Sequence, residues 1–242
     1  MIVLSGPDGA PYRLAPTKII ALGLNYLDHI AESQSVRVQG FGKEAPKEPV
    51  LFPKTPNVLI GSGEPIVIPA FLEDYRFEEP RVDYEAELAF VVRDRCRQVP
   101  IEEAWGHILG FTCFNDVSQR NLQRSDPSGW WRGKSLDTFG PVGPRIAARE
   151  ELGDPQALTI RCRLNGRVVQ ESNTRHMIFS IPRILSFISR NFTLEAGDLV
   201  STGTPSGVGP LRHGDEVEVE IEGIGVLRNP VREEARSPRS GG

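Results

Sequence analysis

Cysteine is scarce in this sequence, and long apolar runs and blocks of basic residues are missing. The three cysteines, Cys96, Cys113 and Cys162, are odd in number and far apart, which favours reduced, buried thiols over a disulfide framework or a zinc knuckle. The longest apolar run, at 19–24, has about six residues, whereas a membrane-spanning helix needs roughly 20. The N-terminus MIVLSGPDGAP also lacks the basic and long apolar segments of a signal peptide. We therefore expect a cytoplasmic protein with no membrane partner.

Positive charge is too thinly spread to indicate a nucleic-acid-binding protein. Lysine and arginine total 28 against 32 aspartates and glutamates, which gives a net charge of −4, and no basic stripe interleaved with aromatics occurs. With 39% hydrophobic residues, the chain can bury a substantial core. The composition is that of an ordinary globular protein, and no nucleic-acid partner is expected.

Glycine and proline, by contrast, are plentiful. The 24 glycines and 20 prolines favour many short strands joined by tight turns. Asn165 and Gly166 separate two strand-like segments and predict a type I′ hairpin, because both residues tolerate positive φ. Pro182 opens a predicted helix. Glutamates alternate with apolar residues at 216–222, which indicates a strand with one solvated face. The predicted fold class is α+β and β-rich.

The stretch VDYEAELAFVV, at 82–92, has the pattern of a strand but carries two glutamates. Side chains alternate along a strand, so Glu85 and Glu87 point to the same side. In the rest of the segment, both faces of the strand carry apolar residues. Two buried like charges would repel each other and lose hydration unless they were protonated or neutralised. A bound cation is the simplest solution, and a salt-bridged pair of acids at a strand end is the alternative.

Oxygen-only ligands favour a hard cation, either Mg²⁺ or Mn²⁺. Such ions usually take a third carboxylate and keep positions open for substrate and water. Asp116, at the end of the strand-like segment GFTCFND, is the candidate third ligand.

Several segments, taken together and in order, resemble the fumarylacetoacetate hydrolase family, in particular its acylpyruvase-like and 2-hydroxyhepta-2,4-diene-1,7-dioate isomerase-like members. The resemblance covers roughly 18–230, and the combined pattern is far more specific than any one piece. It implies a mixed β-sandwich roll with short helices, a homodimer, and Mg²⁺ or Mn²⁺ bound by Glu85, Glu87 and Asp116. The segments are GLNYLDHIAE, PVLFPKTPNVLIG, RVDYEAELAFVV, GFTCFNDVSQRNLQ, WWRGKSLDTFGPVGP, LNGRVVQ and GDLVSTGTPSGVGP.

The resemblance also implies a substrate class and the residues that contact it. The family's substrates are 2-oxo acids and related dioxo or enol compounds, and its metal acts as a Lewis acid that stabilises an enolate. Lys134 matches the lysine that neutralises developing negative charge; a lysine with its head in solvent is the alternative. Arg120, Gln123 and Thr204 match positions that hold the substrate carboxylate and metal-bound oxygens.

His29 and Glu32 form a candidate catalytic dyad. They lie at i and i+3, so they share a face if DHIAE is helical, and an imidazole oriented by a carboxylate is a natural general base for water. An ordinary surface pair is the alternative, but the resemblance matches the two residues to the dyad of acylpyruvase-like members. The chain departs from those members at Leu24, where they often have arginine in a G-R-N-Y segment.

The sequence thus predicts a divalent-metal-dependent hydrolase that cleaves a carbon-carbon bond in a 2-oxo or 2,4-dioxo acid of the acylpyruvate or fumarylpyruvate type. The alternatives are an isomerase or decarboxylase of homoprotocatechuate breakdown, an oxaloacetate decarboxylase or tautomerase, and a non-catalytic metabolite-binding protein. The expected organisation is an N-terminal segment at 1–17, a catalytic domain at 18–230 with a lid at about 28–48 that closes over substrate, and a polar, disordered tail at 231–242.

Overall fold

The chain folds around one large mixed sheet. The computed structural model describes residues 2–28 and 45–236. The first two strands, at the start of the chain, join this sheet through a parallel pairing at Ser5 and Arg145. In spatial order the strands are β2 (Pro11–Leu14), β1 (Ile2–Ser5), β11 (Gly140–Ala147), β9 (Ile108–Asn115), β8 (Ala86–Val92), β14 (Leu199–Ser201), β3 (Ile19–Gly23) and β4 (Val50–Lys54), with β5 (Leu59–Ile60) also paired to β11.

Two smaller sheets complete the β structure of the described residues. One has the order β13 (Arg167–Asn173), β12 (Thr159–Leu164), β16 (Glu216–Ile221), β17 (Gly225–Glu233) and β6 (Ile66–Ile68). The other has the order β10 (Ser118–Gln119), β7 (Val82–Tyr84) and β15 (Gly209–Pro210).

Helices are short, as the density of glycine and proline predicts. The α-helices are α1 (Arg120–Ser125), α2 (Trp131–Lys134), α3 (Arg149–Leu152) and α4 (Ile181–Asn191). The 3₁₀ turns are Pro56–Val58, Ala70–Tyr75, Ile101–His107, Pro155–Ala157 and Thr174–His176. Among the described residues, no helix combines the length and apolar character needed to cross a membrane.

Strand β8 is the centre of the molecule because both of its faces are buried. Leu88 and Phe90 belong to the main apolar core, which also contains residues of β12, β16 and β17 from the second sheet. Ala89 and Val91 belong to a separate apolar cluster on the opposite face, next to β1, β2 and β3. Glu87, which shares the side of Ala89 and Val91, therefore lies inside the protein rather than on a solvated face.

Several predicted elements are present as expected. Asn165 and Gly166 have φ values of 52° and 77° and connect β12 to β13, which confirms the hairpin. The strand β16 keeps Val217 buried and pairs its glutamates with arginines, so its acid face is the outer one. The β-rich fold class is likewise confirmed.

Two boundaries differ from the sequence-based expectation. The segment 82–92 forms two strands in different sheets, β7 and β8, because its partners change from β10 and β15 to β9 and β14 at Glu85. Strand β17 continues to Glu233, since 231–233 pair in parallel with β6. The first residues of the segment expected to be a disordered tail are therefore part of a sheet.

Candidate active site

Three buried carboxylates lie together where β8 begins and β9 ends. Glu85 lies at the junction of β7 and β8, Glu87 lies one residue into β8, and Asp116 follows β9. The antiparallel pairing of Ala86 with Asn115 brings these positions together, and the backbone N–H of Asp116 donates to Glu85 O at 2.9 Å. One carboxylate oxygen of each residue lies within 4.8 Å of the others. The three residues predicted as metal ligands therefore converge in space.

Cations lie against two of the three carboxylates. Lys134 Nζ is 2.7 Å from Glu85 Oε2 and 2.5 Å from Asp116 Oδ2. Arg120 Nη2 donates to Glu85 Oε1, and its Nε donates to Asp83 Oδ2 at 2.8 Å. The predicted substrate residues Arg120 and Lys134 are thus buried and ion-paired, which excludes a solvated lysine head at position 134.

A further lysine, not singled out from the sequence, completes this network. Lys54 Nζ lies 2.6 Å from Asp116 Oδ1, and both side chains are fully buried. Burial lowers the pKa of Lys54, against the opposing effect of the Asp116 charge. Burial also works against the charged form of Lys134, but the charges of Asp116 and Glu85 outweigh it and raise the pKa of Lys134.

Glu87 differs from the other two carboxylates in its partners. Its Oε2 accepts hydrogen bonds from the Ser201 hydroxyl and from Gly203 N, the latter at 2.8 Å, and both donors are neutral. Burial, followed by the charges of Asp116 and Glu85, raises the pKa of Glu87 well above its ordinary value. A divalent cation next to Glu87 would stabilise its ionised form, because the cation would supply the positive charge that the neutral donors do not.

The cluster contains charged side chains of both signs. Asp83, like the three converging carboxylates, is buried, and so are three cations. With every carboxylate ionised, four negative charges face these three cations and Arg81, whose Nε lies 2.8 Å from Asp83 Oδ1. The buried cations are Lys54, Arg120 and Lys134. The donor atoms of the three converging carboxylates are all oxygens, which fits Mg²⁺ or Mn²⁺.

A glycine allows Lys134 to reach the carboxylates. The short helix α2, which carries Lys134, packs directly on the start of α1. A Cβ atom added at Gly133 would lie 2.7 Å from both Gln119 O and Gln123 N. Only glycine permits this approach, which places Lys134 beside Glu85.

A cavity opens next to this cluster, and its wall contains both polar and apolar side chains. Gln123 Oε1 accepts a hydrogen bond from Arg120 Nη1 at 3.0 Å, and Lys134 Nζ lies 5.0 Å from the centre of the Phe52 ring. The lining residues are Leu22, Gly23, Leu24, Phe52, Glu85, Glu87, Arg120, Gln123, Trp130, Lys134 and Thr204. The substrate-contact positions predicted from the sequence, Arg120, Gln123, Lys134 and Thr204, are all among them.

The catalytic dyad predicted at His29 and Glu32 lies outside the described residues, as does most of the predicted lid. The described part of the chain leads towards that segment through Asn25, whose side chain donates to Thr202 O at 2.7 Å and accepts from Phe179 N at 2.8 Å. Asn25 is therefore held next to the loop that carries Gly203 and Thr204.

A second group of side chains of the types that bind metals, Asp94, Cys96 and His107, lies elsewhere on the molecule. Here His107 Nδ1 is 2.6 Å from Asp94 Oδ1, which gives the imidazole a partner. Burial, with smaller effects from nearby acids, raises the pKa of Cys96 to about 11. In this structure the group consists of a histidine–aspartate pair beside a buried thiol.

The chain belongs to the fumarylacetoacetate hydrolase family. The model of the fumarylacetoacetate (FAA) hydrolase C-terminal family matches residues 18–232. This match agrees with the fold and with the carboxylate cluster, both of which the family resemblance implied.

Relatives with known names catalyse different reactions. The mitochondrial oxaloacetate tautomerase fahd2 of Xenopus laevis is 41% identical over 224 residues, which are 89% of this chain and 66% of that protein. The structure of 5-carboxymethyl-2-hydroxymuconate delta-isomerase from Mycobacterium smegmatis has a TM-score of 0.79 and 40% identity, covering 92% of this chain and 81% of that one. Fumarylpyruvate hydrolase from Pseudomonas aeruginosa, in complex with Mn²⁺ and pyruvate, has a TM-score of 0.82 and 27% identity, covering 96% of each chain. Family membership therefore identifies a group of enzymes but not one reaction.

Proposed function

We propose that the protein is a divalent-metal-dependent enzyme that interconverts the keto and enol forms of a 2-oxo acid such as oxaloacetate. The observation that carries the proposal is the convergence of three buried carboxylates, two of which line one cavity together with the cations Arg120 and Lys134. The 41% identity to an oxaloacetate tautomerase supports the choice of substrate.

Glu85, Glu87 and Asp116 would hold Mg²⁺ or Mn²⁺ through one oxygen each. Their oxygens are close enough to share one ion, and the hydrogen-bond donors to Glu87, Ser201 and Gly203, are neutral, which favours a divalent cation beside it. When bound, such an ion withdraws electron density from a carbonyl group and so makes the adjacent C–H bond more acidic.

Arg120 and Lys134 supply fixed positive charge where the substrate gains negative charge. In tautomerisation a proton leaves the carbon beside the carbonyl and a proton arrives on the carbonyl oxygen, so no atom is gained or lost. The ammonium of Lys134 lies in the cavity wall, 2.7 Å from Glu85 Oε2, and can therefore stabilise the oxygen as it becomes negative. The guanidinium of Arg120 suits a substrate carboxylate, and Gln123 and Thr204 add polar groups that orient the substrate.

Hydrolysis of a carbon-carbon bond in an acylpyruvate or fumarylpyruvate is the second candidate. The fumarylpyruvate hydrolase that covers 96% of this chain favours it, as does the sequence pattern of His29 and Glu32. Hydrolysis needs a base to activate water in addition to the groups that stabilise the enolate. Leu24 lines the cavity where acylpyruvase-like members often have arginine, which is why we place hydrolysis second.

One panel of substrates distinguishes tautomerisation from hydrolysis. The wild-type protein and Glu87→Gln should be incubated with enol oxaloacetate, with an acylpyruvate and with fumarylpyruvate, each with saturating Mn²⁺ and with excess chelator. Loss of the enol absorbance without formation of pyruvate measures tautomerisation, and pyruvate formed from oxaloacetate measures decarboxylation. We expect tautomerisation by wild-type protein only with metal, and none by the variant. Faster cleavage of an acylpyruvate would support the second candidate, and no metal-dependent turnover of any 2-oxo acid would contradict the proposal.

A further inference from the structure

The backbone between Glu85 and Glu87 has an unusual set of partners. In a strand, the N–H and C=O of one residue point to the same edge. At Ala86 this edge faces away from β9, and the neighbouring strand β14 pairs only with 89–91. The Ala86 N–H instead donates to Gln170 Oε1 at 3.0 Å, and Ala86 O accepts from Thr204 Oγ1 at 2.8 Å. Side chains thus replace the missing strand between the two glutamates.

Gln170 and Thr204 also bond to each other, which closes a ring. Gln170 Nε2 donates to Thr204 Oγ1 and to Pro205 O, both at 2.9 Å. The ring therefore runs from Ala86 N to Gln170, then to Thr204, and back to Ala86 O. An amide offers two N–H donors and one carbonyl acceptor, so these contacts fix the orientation of the buried Gln170 side chain.

The ring joins three separate parts of the chain at the carboxylate cluster. Gln170 comes from β13 in the second sheet, Ala86 begins β8, and Thr204 lies in the loop whose Gly203 N–H donates to Glu87. A loss of Gln170 would release both the backbone that spaces the two glutamates and the loop that orients Glu87. Because these groups are buried, the unpaired Ala86 N–H would also favour a local rearrangement.

We propose that Gln170 is a positioning residue for the metal-binding carboxylates, which it holds at the correct spacing through Ala86 and the loop at 203–206. The role rests on the proposed function, because it assumes that Glu85 and Glu87 bind a divalent ion. Side chains that orient metal ligands typically contribute roughly 10- to 100-fold to metal affinity, and this is the loss expected on removing Gln170.

The test is the affinity for Mn²⁺ alone, measured from the electron paramagnetic resonance signal of the free ion. Gln170→Leu should bind Mn²⁺ at least about tenfold more weakly than wild-type protein. Gln156→Leu is the matched control, because Gln156 also bridges two backbone groups, Thr174 O and Ile181 N, each at 2.9 Å. Both variants should lose thermal stability in chelator, but only Gln170→Leu should lose Mn²⁺ affinity.

Thr204→Val provides a second variant should Gln170→Leu fail to fold. This variant removes the hydroxyl that links Gln170 to Ala86 O, so it should also weaken Mn²⁺ binding. The double variant Thr204→Val with Gln170→Leu should bind Mn²⁺ only slightly more weakly than either single variant, because the two residues act through one ring. Wild-type affinity in folded Gln170→Leu or Thr204→Val, or an equal loss in Gln156→Leu, would overturn the positioning role. A wild-type protein that does not bind Mn²⁺ would instead overturn the proposed function, and this role with it.

Discussion

Lys134 Nζ lies 2.5 Å from Asp116 Oδ2 in a fully buried ion pair, and it lies 2.7 Å from Glu85 Oε2 as well. One ammonium thus bridges two of the three converging carboxylates, which Arg120 and Lys54 also contact. The third, Glu87, is held by the neutral donors Ser201 and Gly203. Because of this difference, substitutions of Lys134 and Glu87 should have opposite effects on the stability of the metal-free protein.

Glu87→Gln should leave the metal-free protein as stable as wild type or more stable. The change removes a buried charge that is near Asp116 and Glu85, and the amide oxygen can still accept from Ser201 and Gly203. A gain of about 1 kcal/mol would raise the Tm by roughly 2–4 °C in a protein of this size. Saturating Mn²⁺ should raise the Tm of wild-type protein but not that of the variant. An equal Mn²⁺-induced rise in both proteins would contradict the assignment of Glu87 as a ligand.

Lys134→Met should destabilise the metal-free protein, because it leaves Glu85 and Asp116 with fewer positive charges. Removing one partner of a buried ion pair typically costs about 3–5 kcal/mol in unfolding free energy. Mn²⁺ should restore more stability to the variant than it adds to wild type, since the ion replaces the missing charge. Turnover should fall by roughly 100-fold or more, as it does when a group that stabilises a developing anion is removed. Denaturant unfolding with chelator and with Mn²⁺ gives the first result, and kcat at saturating Mn²⁺ gives the second. Unchanged stability in chelator would contradict the buried ion pair.

Gly133→Ala should displace helix α2 and with it Lys134. The added Cβ would lie 2.7 Å from two backbone atoms, and backbone cannot move aside as a flexible side chain can. Overpacking of this kind typically costs about 1–3 kcal/mol. Gly106→Ala is the matched control, because nothing lies within 4 Å of a Cβ atom built at Gly106. Equal Tm values and equal kcat for the two variants would show that the approach of α2 to α1 is not tight.

Asp198→Asn should reduce stability at neutral pH but much less in acid. The Asp198 carboxylate accepts from Thr17 N at 3.0 Å, Lys18 N at 3.1 Å and Glu195 N at 2.8 Å, and it pairs with Lys18 Nζ at 2.5 Å. Burial alone would raise the pKa of Asp198, but these hydrogen bonds and the Lys18 charge outweigh it and lower the pKa.

A carboxylate whose pKa is lowered by folding contributes its full stability above its unfolded pKa, about 3.9, and loses it as the pH falls through the folded value. The difference in unfolding free energy between wild type and Asp198→Asn should therefore be about 1–3 kcal/mol at pH 7 and should shrink steadily below about pH 4. Asp8→Asn, at an exposed turn, is the control and should show little difference at either pH. A difference for Asp198→Asn that stays constant down to pH 2 would contradict the assignment.

The sequence could predict features that depend on local pattern. Alternation placed Glu87 in a strand with apolar residues on both faces, and β8 confirms this, whereas Glu85, predicted in the same strand, lies just before β8. Asn165 and Gly166 predicted their hairpin because the turn itself requires positive φ. Asp116 was identified from its position after a strand, and the pairing of β8 with β9 brings it to the glutamates.

The features that the sequence could not predict depend on distant parts of the chain. Lys54 lies within the segment PVLFPKTPNVLIG, but lysine is usually solvated, and its partner Asp116 is 62 positions away. Gln170 lies within LNGRVVQ, and its partner Ala86 is 84 positions away. The sequence also gives no sign that the strand is interrupted at Glu85, because the alternation of side chains continues unchanged while the partner strands change. Tertiary pairing, not local propensity, determines all three.

The most direct test of the account is a crystal structure with Mn²⁺ and oxalate, a non-reactive analogue of a 2-oxo acid, with anomalous scattering recorded at the manganese edge. The account predicts one strong anomalous peak bound to Glu85, Glu87 and Asp116 through oxygens at roughly 2.0–2.3 Å, with oxalate also on the metal and next to Arg120 or Lys134. An anomalous peak elsewhere, or none at these three carboxylates while Lys134 stays between Glu85 and Asp116, would contradict it.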